Sequence, residues 1–410
     1  MADISFSGRL GYIMEIASAL SLAGHDASES QAQARTLESE IFAQAADADE
    51  YQQQANKILA HLQPLPITNA TLLVSADTDE ILNLEGPTIG TYEHATFYQD
   101  GQTSTVFKAR AKDPKAKERI VALKVTHPAQ MTDPHNSTRE ARLLGACKHT
   151  GVVPLLEAFA ESGGRFVLVF PFLRQDLENL LRTDTLTPEQ AGQVFVALFE
   201  ALAYIHSLGI IHRDVKPSNI LLRSREGPAY LTDFGIAWSP DDKDSETANA
   251  KITDVGTTRY RPPELLFGCR FYDTSLDIWA AGCVVGELVR KGHSPLFDSG
   301  PLGSDLTLIK SIFTTLGTPD DSVWPSAASY PDWTKITFQK FPSKRWSEIL
   351  PGAQDSAANF VANTVCFERT RRLTASQALE HPLRSILSRG TRPCYQHRQL
   401  VTGSESQIDT

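Results

Sequence analysis

The chain has 410 residues, with 49 acidic against 39 basic side chains, a formal net charge of −10, and 41% hydrophobic and 21% charged residues. Those proportions describe an ordinary globular protein of roughly two or three domains and exclude a disordered one. No run of about 18 apolar residues offers a membrane span, and five cysteines without CxxC spacing (Cys147, Cys269, Cys283, Cys366, Cys394) argue against zinc ribbons and a disulfide framework. Met1–Phe6 lacks the basic start of a secretory signal. An acidic balance without a basic patch disfavours nucleic acid as a direct ligand. An intracellular location, nucleus or cytoplasm, and no membrane partner are the resulting expectations.

The charge is unevenly spread. Residues 1–86 hold 13 Asp/Glu against Arg9, Arg35 and Lys57 and so carry the whole −10, while 36 charges of each sign balance from residue 87 onward. Within 1–62 the pattern is helical. Ser28-x-x-Gln31 is a candidate capping box, Leu37, Ile41 and Ala45 recur at four-residue spacing, and a second run shows Tyr51, Ala55, Ile58, Leu59 and Leu62. Two or three such helices can form a small bundle similar to the helical partner-binding modules of transcription regulators, or an extension docked on the main domain or partly disordered. Residues 63–87, with Pro64, Pro66 and the acidic Ser75–Glu80 stretch, read as a linker.

From residue 88 the texture changes to short strands. Thr105–Phe107 and Ile120–Val125 are β-branched and apolar, and Asp113–Glu118 between them fits a hairpin loop. Asp133-Pro134 offers a helix N-cap with proline at the first position. In the helix that follows, Glu140 shares an inward stripe with Leu143, Leu144 and Cys147, where a carboxylate needs a cation. Arg165–Phe170 is another strand. A long helix opens with a capping box at Thr187-Pro188-Glu189-Gln190 and stops at Gly209. The chain is largely helical after residue 260, and 387–410 form a polar tail. Strands first and helices afterwards suggest a two-lobed α+β domain.

Four elements in fixed order carry chemistry. Val121-Ala122-Leu123-Lys124 ends a strand on a lysine, and Glu140, sixteen residues on, can hold its ammonium. Ile211–Ile220 contains His212-Arg213-Asp214, Lys216 and Asn219. Asp233-Phe234-Gly235 begins fourteen residues after Asn219, and Tyr260-Arg261-Pro262-Pro263-Glu264 precedes Ser275–Gly282. With these residues at this spacing the chain resembles the eukaryotic protein kinase family over about residues 88–386. The resemblance implies an α+β, bilobal protein kinase fold, a small β-rich N-lobe on a large helical C-lobe, here with an N-terminal helical extension.

It also implies roles. Asp214 would accept the proton of the substrate hydroxyl, and Lys216 would steady the transferring phosphate and point to Ser/Thr acceptors of a protein substrate. Asn219 and Asp233 would supply oxygens for Mg²⁺, and Lys124, held by Glu140, would contact the ATP α/β-phosphates. Phe170, Pro171 and Leu173 would line the adenine edge, with Phe170 as gatekeeper. Asp176 is placed for the ribose, and Val106, Ala122 and Leu221 sandwich the base. The glycine-rich loop is eroded: its three glycine positions are Gln99, Gly101 and Ser104, which leaves a weak pseudokinase or scaffold, working through the N-terminal segment, as the alternative function.

Further features resemble the cyclin-dependent kinases of the CMGC group: Tyr260–Leu266, the Ile309–Pro325 insert and the Phe172–Leu177 hinge. The cyclin-contacting helix keeps only Ser137-Thr138-Arg139-Glu140, so a cyclin or other regulatory subunit is an open partner. Three arginines clamp an activation-loop phosphothreonine in that family. Arg139 and Arg213 hold two of those places, and Trp238 stands in the third. Thr253 is the nearest candidate phosphosite, with Ser245 and Thr247 as looser ones. The acidic run Asp241–Glu246 is read as a solvated loop in preference to a phosphate mimic. Thr257 is expected to bond within the catalytic loop, Asp277 to hold the His212-Arg213 backbone, and Arg372 to pair with Glu264. Gly256 replaces the valine that helps select proline after the phosphoacceptor, which leaves proline direction open. The departures lean toward a kinase-activating or otherwise divergent cyclin-dependent-type enzyme acting in cell-cycle or transcription control.

Overall fold

A computed structural model describes residues 85–113, 115–224 and 227–388, together with 9, 12, 13, 16, 27–45, 50, 51, 53–55, 57 and 58 of the N-terminal part. The chain divides into a small compact unit within residues 1–79 together with 300–302, and a large one within 80–299 and 303–410.

The small unit has a core of its own. Helix α1 (Ala27–Gln44) buries Ala34 and Ile41, which pack with Ile16, Ala45, Tyr51 and Ala55. A helix already in place at Ala27 puts Ser28 inside α1, so the expected Ser28/Gln31 capping box does not mark its start. Glu38 is buried on the same face, matched by Arg9 at 2.6 and 2.9 Å and by the Tyr51 hydroxyl at 2.8 Å. Leu59, Leu62 and most of the expected linker lie outside the described residues.

The large unit opens with a five-stranded antiparallel sheet in the order β1-β2-β3-β5-β4. Its strands are β1 (Tyr92–Asp100), β2 (Ser104–Ala111), β3 (Ile120–Thr126), β4 (Glu157–Ala160) and β5 (Phe166–Pro171). Strand alternation decides what each face does. In β3, Val121, Leu123 and Val125 enter the sheet's own core with Val167 and Val169. Ala122 and Lys124 therefore face the other way, with Val106 paired opposite Lys124 and Phe170 opposite Ala122. The last linker residues already belong here: Ala95 N–H donates to Pro87 O and the Thr96 hydroxyl to Glu85 O.

Helix α2 (Ser137–Ala146) lies between β3 and β4 in sequence and buries Glu140, Leu143 and Leu144. Its N-cap is Asn136, whose side-chain oxygen accepts from Arg139 N at 2.8 Å. This corrects the Asp133-Pro134 expectation: those residues sit in a Thr132–His135 turn, too early to reach the free N–H groups. Strand β6 (Gln175–Asp176) leads into α3 (Leu177–Arg182), and α4 (Pro188–Ser207) carries the expected Thr187/Gln190 capping box. Strands β7 (Ile220–Leu222) and β8 (Ala229–Leu231) complete a three-stranded sheet with β6.

Helices α5 (Ser275–Val289), α6 (Asp305–Leu316), α7 (Asp355–Thr364), α8 (Ala375–Glu380) and α9 (Pro382–Ser388) follow. Their core joins Phe195, Phe199, Trp279, Trp324 and Phe360. Helix α9 ends at Ser388, and the rest of the expected tail lies outside the described residues.

Candidate active site

A cavity of about 330 Å³ lies between the five-stranded sheet and the helical part. Gly101, Val106, Ala122, Lys124, Glu140, Phe170, Pro171, Leu173, Asp176, Asn219, Leu221 and Asp233, all singled out from sequence, line it. Asp176 also caps α3, accepting from Asn179 N at 2.7 Å. Sequence reasoning missed Tyr98 and named Phe172 only as part of the hinge; their rings meet edge to face at 5.2 Å beside the cavity. The aromatic Phe172 follows Pro171 directly, but only the fold shows that β1 brings Tyr98 to it.

At the inner end Lys124 Nζ is 2.8 Å from both Glu140 oxygens and 2.8 Å from Asp233 Oδ1. The Lys124 charge holds the Asp233 carboxyl well below the usual range, against burial. Burial opposes the lysine's own charge, but the two carboxylates overcome it and raise its pKa. Asp233 adopts a left-handed backbone (φ 64), and Phe234 after it is fully buried against His212, with ring centroids 4.8 Å apart. A group held in a sparsely populated conformation beside a cavity is what a functional site shows.

The loop Ile211–Ile220 is assembled around Asp214. Asn219 Nδ2 donates to Asp214 O at 2.8 Å and Oδ2 at 3.0 Å. Lys216 Nζ lies 2.9 Å from Asp214 Oδ2 and 2.8 Å from the Thr257 hydroxyl, and Thr257 donates its N–H and its hydroxyl to Asp214 Oδ1 at 2.8 Å. Asp277, fully buried on α5, accepts the backbone N–H groups of His212 and Arg213 at 2.9 Å and the His206 ring at 2.9 Å. Arg372 and Glu264, both buried, form a two-pronged pair at 2.6 and 2.7 Å.

Asn219 and Asp233 face one cavity with hard oxygens, and among the described residues no group of three or more His, Cys, Asp or Glu could hold a metal. Two protein oxygens suit Mg²⁺, which takes one or two carboxyl-type ligands and completes its shell with water and phosphate oxygens.

The acidic run does not behave as a solvated loop. Arg213 donates to Glu246 at 2.9 and 2.8 Å, Arg142 reaches Asp242 at 2.7 Å and also Asp244, and the Glu246 side chain is only 15% exposed. Burial opposes ionisation of Glu246, but Arg213 overcomes it and brings its pKa down to about 2. Spacing alone could not show which carboxylate of the run reaches an arginine. Thr253 makes no hydrogen bond to Arg139 or Arg213, whose partners are Asp244 O, Pro134 O and Glu246.

Comparison with known proteins agrees with this geometry. Residues 98–384 match the protein kinase domain. The chain is 35% identical to serine/threonine-protein kinase csk1 of Schizosaccharomyces pombe over 272 residues, which is 65% of this chain and 86% of that protein. It is 37% identical to cyclin-dependent kinase 7 of Xenopus laevis over 293 residues (70% and 79%), and 35% identical to cyclin-dependent kinase 20 of Rattus norvegicus over 288 residues (69% and 79%). A chain with this fold, this cavity and these relatives belongs to the protein kinase family, as a serine/threonine kinase of the cyclin-dependent-kinase-like type.

Proposed function

We propose that the chain is an active enzyme that moves the ATP γ-phosphate to Ser or Thr hydroxyls of protein substrates, with other kinases of cell-cycle or transcription control as the first class to try. The observation that carries this is the Asp214 cluster. Its carboxylate is held from three sides by Asn219, Thr257 and Lys216, so it is aimed before any substrate arrives. An acceptor hydroxyl against Asp214 gives up its proton there as the oxygen attacks. Lys216, two residues on, balances the negative charge that gathers on the phosphoryl oxygens. Lys124, kept in place by buried Glu140, turns its ammonium to the α/β-phosphates. Asn219 and Asp233 would hold magnesium, which when bound neutralises phosphate charge and screens the leaving group. The work is positioning and charge neutralisation, with no covalent participation by the protein.

The eroded loop is supported in another way. Gly101 N–H donates to Ser104 O at 2.7 Å and the Thr105 hydroxyl to Asp100 at 2.8 Å, closing the β1–β2 hairpin without three glycines. The acidic unit within residues 1–79 then serves as a docking or regulatory piece, and a cyclin-type partner acts, where it does, on the large unit.

Purified full chain with labelled ATP and a protein substrate tests the proposal. Asp214→Asn should lower transfer by about 10²–10⁴-fold, the usual contribution of a positioned base, with nucleotide affinity within about threefold of wild type. Equal, negligible transfer by wild type and variant with intact ATP binding refutes catalysis in favour of the scaffold reading.

A further inference from the structure

Two buried guanidinium groups flank the catalytic machinery. Arg139 immediately precedes Glu140 on α2, and Arg213 immediately precedes Asp214. Arg213 is held at both ends. Its backbone, left-handed at φ 71, is gripped by Asp277 Oδ1, and its head group gives two parallel N–H bonds to the Glu246 carboxylate. Arg139 donates to the carbonyls of Asp244 and Pro134. Among the described residues the buried Nε atoms of both arginines have no hydrogen-bond partner. Burial and the nearby Arg213 charge lower the Arg139 pKa, while Glu246 works to raise it. Two buried like charges this close need an anion between the segments that carry them.

The chain around Glu246 is built to deliver that anion. Trp238 Nε1–H donates to the Glu246 carbonyl at 2.8 Å, and Ile252 N–H to its Oε1 at 3.3 Å. Lys251 stands 4.3 Å over the Trp238 ring and donates to the carbonyls of Ala248 and Tyr272 at 2.7 and 2.9 Å. Arg142 pins Asp242 and Asp244 on the side facing α2. The paired donors of Arg213 are fully occupied by a carboxylate that the chain itself carries.

We propose that Glu246 is a positioning residue for phosphate transfer: clamped by Arg213, its carboxylate fastens residues 238–252 to the catalytic loop, while Arg139 and Arg142 tie the same segment to α2, so that the segment needs no added phosphate to hold Asp214 and Glu140 in register. The catalytic half of this rests on the kinase reading above. Full-length protein is treated with phosphatase until its intact mass shows no phosphate, then assayed beside Glu246→Gln and Glu246→Asp. Amide hydrogen exchange over residues 238–252 is followed in each.

The dephosphorylated wild type should keep its rate. Glu246→Gln should lose at least tenfold in kcat, with ATP KM changed less than threefold and faster exchange in the segment. Glu246→Asp, which keeps the charge, should recover a substantial part of the rate. A tenfold loss on dephosphorylation, or a Glu246→Gln enzyme at wild-type kcat, overturns the proposal. A wild type that transfers no phosphate under any condition sinks the kinase reading and the catalytic role with it. Exchange then decides the fastening alone: faster exchange in Glu246→Gln supports it, and unchanged exchange refutes it.

Discussion

Arg261→Met is expected to erase a preference for proline immediately after the acceptor residue. Gly256 has a left-handed backbone (φ 74), and a Cβ there would lie 2.4 Å from Arg213 O, so glycine fits where the resemblance implies valine. Arg261 Nε donates to the Gly256 carbonyl at 3.0 Å and is itself anchored by Asp254 at 2.8 Å and Asp305 at 3.3 Å. Gly256 adjoins Thr257, which bonds Asp214, so this carbonyl lies beside the place an acceptor must occupy. A following residue with an N–H finds its acceptor already taken, whereas proline has no N–H to satisfy. A desolvated, unmet donor costs about 1–3 kcal/mol, or about 5- to 150-fold in kcat/KM at 1.4 kcal/mol per decade. The assay compares peptides that differ only in Pro, Ala or N-methyl-Ala at that position. Wild type should favour Pro and N-methyl-Ala over Ala, and Arg261→Met should bring all three within about threefold. The partners it abandons, Asp254 and Asp305, are 88% and 49% exposed, so the fold tolerates the loss. N-methyl-Ala handled no better than Ala by wild type would refute the N–H argument, and an unchanged preference in Arg261→Met would refute the role of the arginine.

Three further expectations concern stability and architecture. Glu287 is 4% exposed, accepts from the Tyr260 hydroxyl at 2.9 Å, and is pushed by burial up to about 7. An acid with a raised folded pKa holds a proton that the unfolded chain releases. Its contribution is therefore full below the unfolded value near 4.5 and is lost as pH rises through 7, a swing of about 3 kcal/mol. Glu287→Gln keeps the acceptor and removes the titration: its Tm should match wild type near pH 5 and exceed it at pH 8, and parallel pH profiles would contradict the assignment. Glu264→Ala strands the buried Arg372 guanidinium and should cost about 3–5 kcal/mol in denaturant unfolding; a loss below 1 kcal/mol would show that the arginine finds water. Removing residues 1–79 should leave phosphate transfer within about threefold, because none of the described residues of that segment belongs to the cores of the large unit; collapse of activity would make the acidic unit part of the catalytic body.

How much of this was legible in the sequence depended on whether the signal was local. The Thr187/Gln190 capping box and the β-branched, apolar run Ile120–Val125 are local patterns, and both reappear in the fold. The family spacing marks Lys124, Glu140, Asp214, Asn219 and Asp233 as a set, and the fold gathers them at adjoining sites. The helix start at Asn136 was missed because Asp133-Pro134 imitates a cap equally well; only the turn before Asn136 decides between them. Glu246 was missed for a different reason. Its partner Arg213 lies 33 residues away, beside Asp214, and one acidic residue in a run of several carries no mark of which one will be buried. Gly256 left proline direction open in the sequence, and its left-handed backbone, hidden from composition, is what lets the Arg261 contact form.

The alternation in β3 also sets where this chain can change length over evolutionary time. Val121, Leu123 and Val125 point into one core while Ala122 and Lys124 point into the cavity. An insertion or deletion of one residue between positions 121 and 124 would exchange the two sets at once, placing the ammonium among valines and leaving Glu140 and Asp233 facing a hydrocarbon. The connecting stretch 112–119 has no such parity to keep, and lengthening it adds only the slowly growing entropy of a longer loop. Length variation among relatives should gather in that connection and stop abruptly at Val121, and a deep alignment with single-residue gaps inside 121–124 in active members would speak against it.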